Sequence, residues 1–243
     1  MNIAVIFAGG VGSRMHSKSK PKQFLKIHGV PIIIHTLQLF ETDNQIDAIV
    51  IACIEEWIPY LRGLIEAYHL KKVKSIVPGG NSGQDSIYNG LKAAENICKE
   101  EKSIVLIHDG VRPLISHKTI EDNIASVKKN GSAVTTVKAK ETVVVVKNNS
   151  NEIEYITARE NSRFARAPQS FWLNEILEAH EKARSEGIHD YIDSCTMMQS
   201  YGKKIFLVEG PEDNIKITTP EDFYIMRALL DAKENSQIYG IEE

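Results

Sequence analysis

A glycine-rich segment followed by basic residues stands near the start of the chain. Residues 8–14 (AGGVGSR) follow a short apolar run, and Lys18, Lys20 and Lys22 come soon after them. Glycines allow backbone N–H groups to approach an anion closely, and clustered cations attract negative charge. The whole chain is slightly acidic, with 29 Lys and Arg against 32 Asp and Glu and a net charge of −3. The local positive charge therefore predicts a polyphosphate site.

The spacing of these glycines narrows the kind of phosphate site. A dinucleotide-binding G-x-G-x-x-G pattern would start at Gly10 and Gly12 but requires glycine where Met15 stands, and the acidic ribose ligand is missing. Neither the P-loop pattern G-x-x-x-x-G-K-[ST] nor a D-x-D metal signature occurs in the sequence. What remains is a basic loop suited to a nucleoside triphosphate that is attacked at its α-phosphate.

Residues 8–15 (AGGVGSRM) and 21–25 (PKQFL) resemble the signature of the cytidylyltransferases that act on polyol phosphates. This family includes 2-C-methyl-D-erythritol 4-phosphate cytidylyltransferase and ribitol-5-phosphate cytidylyltransferase. Further matching segments are residues 35–37 (HTL), 79–80 (GG), 85–87 (DSI), 108–113 (HDGVRP), 141–142 (ET), 168–171 (PQSF) and 214–222 (NIKITTPED). The resemblance implies an enzyme that joins CTP and a polyol phosphate into a CDP-polyol, releases pyrophosphate and uses Mg²⁺.

The resemblance assigns the binding of CTP to two segments. The positions carried over are Phe7, Ala8, Gly9, Gly10, Gly79, Gly80, Asp85 and Ser86. Main-chain groups of residues 79–86 would read the edge of the cytosine. Arg14 and Lys22 would stabilise the charge that grows on the phosphates as pyrophosphate leaves. Because the substrate phosphate is already an adequate nucleophile, this chemistry depends on positioning and on charge neutralisation.

The resemblance assigns a second set of residues to the polyol phosphate. Lys216 would contact the phosphates or position the substrate phosphate, and Arg159 would grip that substrate phosphate. Asp109 follows a predicted strand and would contact substrate hydroxyls or the magnesium-bound phosphates, which makes it the candidate metal contact. Thr142 and Arg159 would reach the site from a neighbouring subunit.

Two positions depart from the family pattern. Many members carry arginine where this chain has Gly83, so one contact to the triphosphate must come from elsewhere or be lost. A threonine of many members is replaced by Ala167, which removes a hydroxyl group. Neither change affects the four assigned cationic side chains, so we expect an active enzyme.

The order of elements predicts a single α/β domain over residues 1–243. Apolar strands alternate with amphipathic helices, a pattern typical of a Rossmann-like, mostly parallel sheet of the nucleotidyltransferase type. The expected strands cover residues 2–7, 47–53, 73–77, 103–107, 133–137 and 204–208, and the expected helices cover residues 32–41, 55–70, 117–129, 173–186, 192–201, 220–231 and the segment after Ser82.

The regular alternation fails in residues 141–159. Two β-branched runs flank a polar turn there, which predicts a hairpin that leaves the sheet as a protruding arm. An isolated two-stranded ribbon is marginal in water, so its apolar residues need a covering surface. A second copy of the chain is the simplest source, and we expect a homodimer through this arm.

The composition limits the partners and the location. The near-neutral charge gives no electrostatic reason to expect nucleic acid or an anionic membrane. No apolar run approaches the ~18 residues of a membrane helix, and the first residues lack the features of a signal peptide. Cys53, Cys98 and Cys195 form no C-x-x-C pair, which favours a reducing cytoplasm over disulfides or zinc.

Several interpretations of the function stay open. The residues more similar to the ribitol-5-phosphate branch are Gly9, Gly10, Phe24, Val111, Ser170 and residues 193–195, whereas residues 140–142 are more similar to the methylerythritol branch. D-Ribitol 5-phosphate is therefore the leading substrate, and 2-C-methyl-D-erythritol 4-phosphate is the alternative. The other classes are a Rossmann oxidoreductase, which Met15 disfavours, and a non-catalytic nucleotide-binding protein, which only Gly83 supports.

Overall fold

The computed structural model describes residues 1–10, 20–98, 102–148 and 150–239, with residues 236–239 described by their backbone alone. The later part of the glycine-rich loop, including Arg14, lies outside the described residues.

Eleven strands occur in these ranges, and seven of them form the main sheet. In chain order they are β1 (Asn2–Ala8), β2 (Lys26–Ile27), β3 (Val30–Pro31), β4 (Ala48–Cys53), β5 (Val73–Pro78), β6 (Ile104–Asp109), β7 (Ser132–Lys138), β8 (Val144–Val146), β9 (Ile153–Ile156), β10 (Arg163–Trp172) and β11 (Leu207–Glu209). The main sheet has the order β11-β7-β10-β6-β1-β4-β5. The four strands from β6 to β5 run parallel, and so do β7 and β11.

Seven α-helices accompany these strands within the described residues. They are α1 (Ile32–Thr42), α2 (Ile58–Ala67), α3 (Gly83–Ile97), α4 (His117–Asn130), α5 (Leu173–Ser185), α6 (Ser194–Ser200) and α7 (Pro220–Tyr239). The side chains of Ser82, Ser116 and Asp193 accept hydrogen bonds from backbone N–H groups three residues later and so cap α3, α4 and α6. Across the described ranges, none of the helices has both the length and the hydropathy needed to cross a membrane.

The alternation of side chains along β1 divides the core into two apolar clusters. Ala4 and Ile6 pack with residues of α1, α2 and α4, whereas Ile3 and Val5 pack with residues of α3, α5 and α6. All four side chains are fully buried. Because helices cover both faces, the central strands need continuous apolar sequences. The predicted fold class, an α/β fold with a mostly parallel sheet, is confirmed.

The sequence analysis missed β10, which lies between β6 and β7 and runs antiparallel to both. Its sequence, RFARAPQSFW, contains arginines and a proline, so it lacks the apolar pattern by which the other strands were recognised. The pairing with β7 is interrupted between Ala165 and Gln169. Pro168, which has no N–H group to donate, lies in this irregular stretch. β10 therefore forms a strand because it pairs with β6 and β7, and not because of a local apolar pattern in its own sequence.

Four smaller features also differ from the expectation. The helix expected over residues 55–70 is divided into a 3-10 turn, Glu55–Trp57, and α2, whose first turn contains Pro59. The last helix continues to Tyr239 instead of ending at Asp231, and the expected strand at residues 204–208 is the shorter β11. The small hairpin of β2 and β3 was not expected.

The strands β8 and β9 form a separate antiparallel hairpin within residues 141–159. Its apolar side chains are largely exposed in the single chain, with 45% of Val144 and 60% of Ile156 accessible to solvent. The hairpin itself is therefore present. Its function as an arm between two subunits stays a prediction.

Candidate active site

The carboxyl ends of four parallel strands meet at one edge of the main sheet. In the strand registers, Cys53 lies beside Ala8 and Pro78, and Asp109 lies beside Phe7. The turns that leave β1 and β5 and the end of β6 therefore converge. Ligands of open parallel sheets bind at this edge.

The turns after β1 and β5 approach each other through glycine backbones. A Cβ atom on Gly9 would lie 2.5 Å from Ser86 Oγ and 3.3 Å from Gly79 Cα. A Cβ atom on Gly80 would lie only 2.2 Å from Asp85 Cβ. Glycine is required at these positions because no space is left for a side chain, and not because of a left-handed backbone.

Ser86 and Asp85 stabilise the second of these turns in different ways. The Ser86 hydroxyl accepts a hydrogen bond from the Gly80 N–H at 3.0 Å and donates one to the Ser82 carbonyl at 2.9 Å. The Asp85 carboxylate pairs with Arg184 at 2.5 Å. Asp85 and Arg184 both line a neighbouring surface cavity. Their ion pair therefore stabilises the turn from that cavity.

A cavity of about 450 Å³ opens at this sheet edge and is called the edge cavity below. Most of the residues singled out from the sequence line it: Phe7, Ala8, Gly9, Gly10, Lys22, Gly80, Ser86, Asp109 and Lys216. Segments from both ends of the chain therefore contribute to a single site.

Gln23 also lines the edge cavity, although the sequence analysis did not single it out. Its side chain is buried, and Nε2 donates a hydrogen bond to the Ala8 carbonyl at 2.7 Å. This bond holds the segment around Lys22 against the glycine turn. The only available signal was the position of Gln23 inside the matching segment of residues 21–25.

Asp109 is the centre of a buried ion-pair network. Lys216 Nζ lies 2.6 Å from Asp109 Oδ1, and Arg112 Nε donates a hydrogen bond to Oδ2 at 3.0 Å. Burial alone would raise the pKa of Asp109, but Lys216 and Arg112 outweigh burial and hold the pKa well below its ordinary value. The carboxylate therefore stays ionised, with a cation at each oxygen.

Lys216 lies in an irregular segment between β11 and α7. The segment is held in place because the Ile217 N–H donates a hydrogen bond to the Val111 carbonyl at 3.0 Å. Lys216 Nζ lies 5.6 Å from the centre of the Phe7 ring. These contacts place a partly exposed ammonium group where β1 and β6 end.

Four assigned residues that the structure describes do not line the edge cavity: Gly79, Asp85, Thr142 and Arg159. Arg14 falls outside the described ranges. Thr142 and Arg159 are exposed on either side of the β8–β9 hairpin, and neither lines the edge cavity of its own chain. Among the residues that the structure describes, no group of three or more His, Cys, Asp and Glu side chains could hold a metal ion.

Comparisons with known proteins agree with this arrangement. The family model described as "IspD: 2-C-methyl-D-erythritol 4-phosphate cytidylyltransferase" matches residues 2–232. A Streptococcus agalactiae serotype III (strain NEM316) protein named ribitol-5-phosphate cytidylyltransferase is 55% identical over 241 residues, or 99% of this chain and 100% of that protein. A Clostridium botulinum (strain 657 / Type Ba4) protein named 2-C-methyl-D-erythritol 4-phosphate cytidylyltransferase is 40% identical over 230 residues, or 95% of this chain and 97% of that protein.

A solved structure also has the same fold. The crystal structure of 4-diphosphocytidyl-2C-methyl-D-erythritol synthase from Anaerococcus prevotii DSM 20548 matches with a TM-score of 0.81 at 26% identity. The match covers 95% of this chain and 96% of that chain. The fold is therefore shared along almost the full length of both chains.

Proposed function

The chain belongs to the IspD family of 2-C-methyl-D-erythritol 4-phosphate cytidylyltransferases, and we propose that this nucleotidyltransferase converts CTP and D-ribitol 5-phosphate to CDP-ribitol and pyrophosphate. The choice of polyol depends on one observation, the degree of identity to the two relatives. Over nearly full length, the chain is 55% identical to the protein named for ribitol 5-phosphate and 40% identical to the one named for methylerythritol phosphate. Some residues that favour the ribitol branch, Gly9, Gly10 and Val111, line the edge cavity.

We propose that CTP occupies the edge cavity. Its volume of about 450 Å³ lies in the usual range of small-molecule sites. Main-chain groups of Gly9, Gly10 and residues 79–86 would contact the nucleotide. Because a rim of main chain cannot adapt to a purine, CTP should be used far better than ATP or GTP.

Lys22, Lys216 and Arg14 are the proposed cations of the reaction. An oxygen of the polyol phosphate attacks the α-phosphate of CTP in line, and pyrophosphate leaves with additional negative charge. By analogy with oxyanion-hole donors, each well-placed cation lowers the barrier by about 3 kcal/mol. Asp109 holds Lys216 in position, and the remaining lone pairs of its oxygens can accept a hydrogen bond from a substrate hydroxyl.

Mg²⁺ is proposed to arrive with CTP. Mg²⁺ commonly keeps several water ligands and is bound by one or two carboxylates together with substrate phosphates. In the described part of the chain, Asp109 is the only carboxylate that lines the edge cavity, and each of its oxygens already faces a cation. These residues do not fit a metal site by themselves, so we assign no step to the ion. The metal contact of Asp109 stays a prediction.

A second copy of the chain is proposed to complete the site. Thr142 and Arg159 lie beside a hairpin whose apolar side chains are uncovered in the single chain. A two-fold partner that presents the same hairpin would cover them and bring both residues to the neighbouring polyol-phosphate site. The planar guanidinium of Arg159 would then grip the substrate phosphate through two parallel hydrogen bonds.

The reaction is proposed to take place in the cytoplasm. Cys53, Cys98 and Cys195 are all free thiols. Burial is the main cause that raises the pKa of Cys53 to about 11 and that of Cys195 to about 12, so both stay protonated and unreactive at neutral pH. Free thiols of this kind fit a reducing compartment.

2-C-Methyl-D-erythritol 4-phosphate is the second candidate substrate. The description of the matching family model favours it, and residues 140–142 resemble that branch. The CTP site and the cationic residues would serve the same purpose in both reactions.

Pyrophosphate release from CTP, Mg²⁺ and a panel of polyol phosphates tests the proposal. We expect kcat/KM with ribitol 5-phosphate to exceed that with 2-C-methyl-D-erythritol 4-phosphate by at least about tenfold. The reverse order would assign the second candidate. Equal turnover with ATP would contradict the CTP site, and no pyrophosphate release with any polyol phosphate would overturn the proposed reaction.

A further inference from the structure

A second cavity of about 380 Å³ adjoins the edge cavity. The two cavities share Phe7, Gly83, Asp109 and Lys216, so they meet at the ion pair at the end of β6. The second cavity extends from this junction along β10 and towards the start of α6. A substrate that lies in it would have one end next to a nucleotide in the edge cavity.

More cationic than acidic side chains line the second cavity. Arg112, Arg166 and Lys216 are its cations, and Asp109 and Asp193 are its acids. Asp109 already pairs with Lys216 and Arg112. The Asp193 side chain caps α6 through the Thr196 N–H.

His180, which also lines this cavity, contributes no charge. It is 1% exposed, and burial lowers its pKa to about 4. The carboxylates of Glu212 and Asp213 partly offset the charge of Arg166, but among the described residues Glu212 forms its ion pair with Lys140 and Asp213 with Lys233. In the described part of the chain, Arg166 is therefore the one of the three cations that forms no direct ion pair with a carboxylate.

Arg166 has a defined position because β10 is irregular there. The pairing of β10 with β7 stops at Ala165 and resumes at Gln169. Within this stretch Arg166 Nη1 donates a hydrogen bond to the Glu212 carbonyl at 2.7 Å, which leaves its other donors for a ligand. Burial and then the positive charge of Arg112 lower the pKa of Arg166, so two guanidinium groups that repel each other face one cavity. A bound dianion would relieve this repulsion.

We propose that Arg166 binds the phosphate group of the incoming polyol phosphate from within the same chain, beside Arg112 and Lys216 in the second cavity. This inference rests on the proposed function, since it concerns the second substrate of that reaction. The attacking phosphate must lie next to the α-phosphate of CTP, and the junction at Lys216 is the place where the cavities meet. A planar guanidinium suits a phosphate because it can donate two parallel hydrogen bonds.

Steady-state kinetics of Arg166→Ala, with Arg163→Ala as the control, test the proposal. Arg163 lies on the same strand and is exposed, and its nearest acid is Glu209 at 4.0 Å. We expect Arg166→Ala to raise KM for ribitol 5-phosphate by about tenfold or more, as for the loss of a charge-assisted hydrogen bond, with KM for CTP almost unchanged. Arg163→Ala should leave both values unchanged. An equal rise of both KM values in Arg166→Ala would mean a purely structural residue and would overturn the proposal.

Inhibition by fragments of the substrate identifies the group that Arg166 contacts. Inorganic phosphate and free ribitol are each tested as inhibitors that compete with ribitol 5-phosphate, in the wild type and in Arg166→Lys. The lysine variant keeps the positive charge, and it replaces Arg166→Ala in this test if Arg166→Ala does not fold. Compared with the wild type, we expect the variant to be inhibited more weakly by inorganic phosphate and equally by ribitol. Weaker inhibition by ribitol alone, or no change with either fragment, would overturn the phosphate contact. If the wild type does not use ribitol 5-phosphate at all, the proposed function fails, whereas normal wild-type turnover with an unaffected Arg166 variant overturns this inference alone.

Discussion

The edge cavity and the β8–β9 hairpin contain similar residue types in opposite surroundings. Every residue of β4 and β6, the strands that lead to the cavity, is buried. Every residue of β9 is exposed. Ile49 in β4 and Ile156 in β9 are the same β-branched residue, yet the first is fully buried and the second is 60% exposed. Residue type therefore does not distinguish the two regions. The difference is whether other elements of the fold cover the strand.

This contrast indicates which functional residues a single chain can position. Asp109 holds Lys216, and Gln23 holds the glycine turn, so the edge cavity is organised by contacts within one chain. Thr142 and Arg159 flank a hairpin whose apolar side chains are largely exposed in the described part of the chain. We therefore expect substitutions at the edge cavity to act within each subunit and those at the hairpin to act through a partner.

Lys22→Ala is expected to have the largest effect, because it removes a cation from the edge cavity. We expect kcat/KM to fall by about 10²-fold or more while the melting temperature stays unchanged, and the same result for Arg14→Ala. The matched control is Lys26→Ala, an exposed lysine of the same segment, whose activity should stay normal. If Lys22→Ala kept most of its activity, Lys22 would be only a solvated loop residue.

Mixing two inactive variants tests whether the hairpin acts on the neighbouring site. Arg159→Ala should impair the use of the polyol phosphate more than the binding of CTP. Mixed dimers of Arg159→Ala and Lys22→Ala subunits would each contain one site with both residues intact, so random mixing should restore about a quarter of wild-type activity. The measurement is activity after subunit exchange, followed by native mass spectrometry. Complete exchange without any return of activity would show that the hairpin does not act in trans.

Gly80→Ala is expected to have an intermediate effect on the edge cavity. The added Cβ atom would lie 2.2 Å from Asp85 Cβ and 2.9 Å from the Asp85 carbonyl carbon, so the turn must move. We expect KM for CTP to rise by about tenfold, with a loss of stability of about 1–3 kcal/mol. Gly63→Ala in α2, where no atom lies within 4 Å of the added Cβ, is the control and should be neutral or stabilising. Normal CTP kinetics in Gly80→Ala would mean that the glycine contact does not shape the site.

Ile156→Ala is expected to have the smallest effect on the stability of the single chain. An exposed hairpin residue should change the free energy of unfolding by about 0.5 kcal/mol or less, whereas Ile49→Ala should cost about 2–5 kcal/mol. Urea unfolding at low protein concentration measures both values. Sedimentation at higher concentration should show weaker self-association for Ile156→Ala only. Unchanged self-association would count against the hairpin as the interface.

Several features were determined by the sequence alone because their signals are local. Continuous apolar runs predicted the central strands of the sheet, since burial on both faces requires them. The helix after Ser82 was predicted correctly, and its cap is local because the Ser82 hydroxyl accepts a hydrogen bond from a backbone N–H only three residues away. The matching segments at residues 8–15, 21–25 and 79–87 indicated the family and contain most of the residues that we propose to bind CTP.

Other features depend on contacts between distant parts of the chain. β10 was missed because its polar, proline-containing sequence becomes a strand only through pairing with β6 and β7. The irregular segment around Lys216 is fixed by a backbone hydrogen bond from the Ile217 N–H to the Val111 carbonyl, about a hundred residues away along the chain. The buried pair of Lys216 and Asp109 joins residues far apart in sequence, so no local pattern could have predicted that both oxygens of Asp109 are occupied. Local patterns specify elements and caps because those depend on near neighbours, whereas the arrangement of charges in the site depends on which distant segments the folded sheet brings into contact.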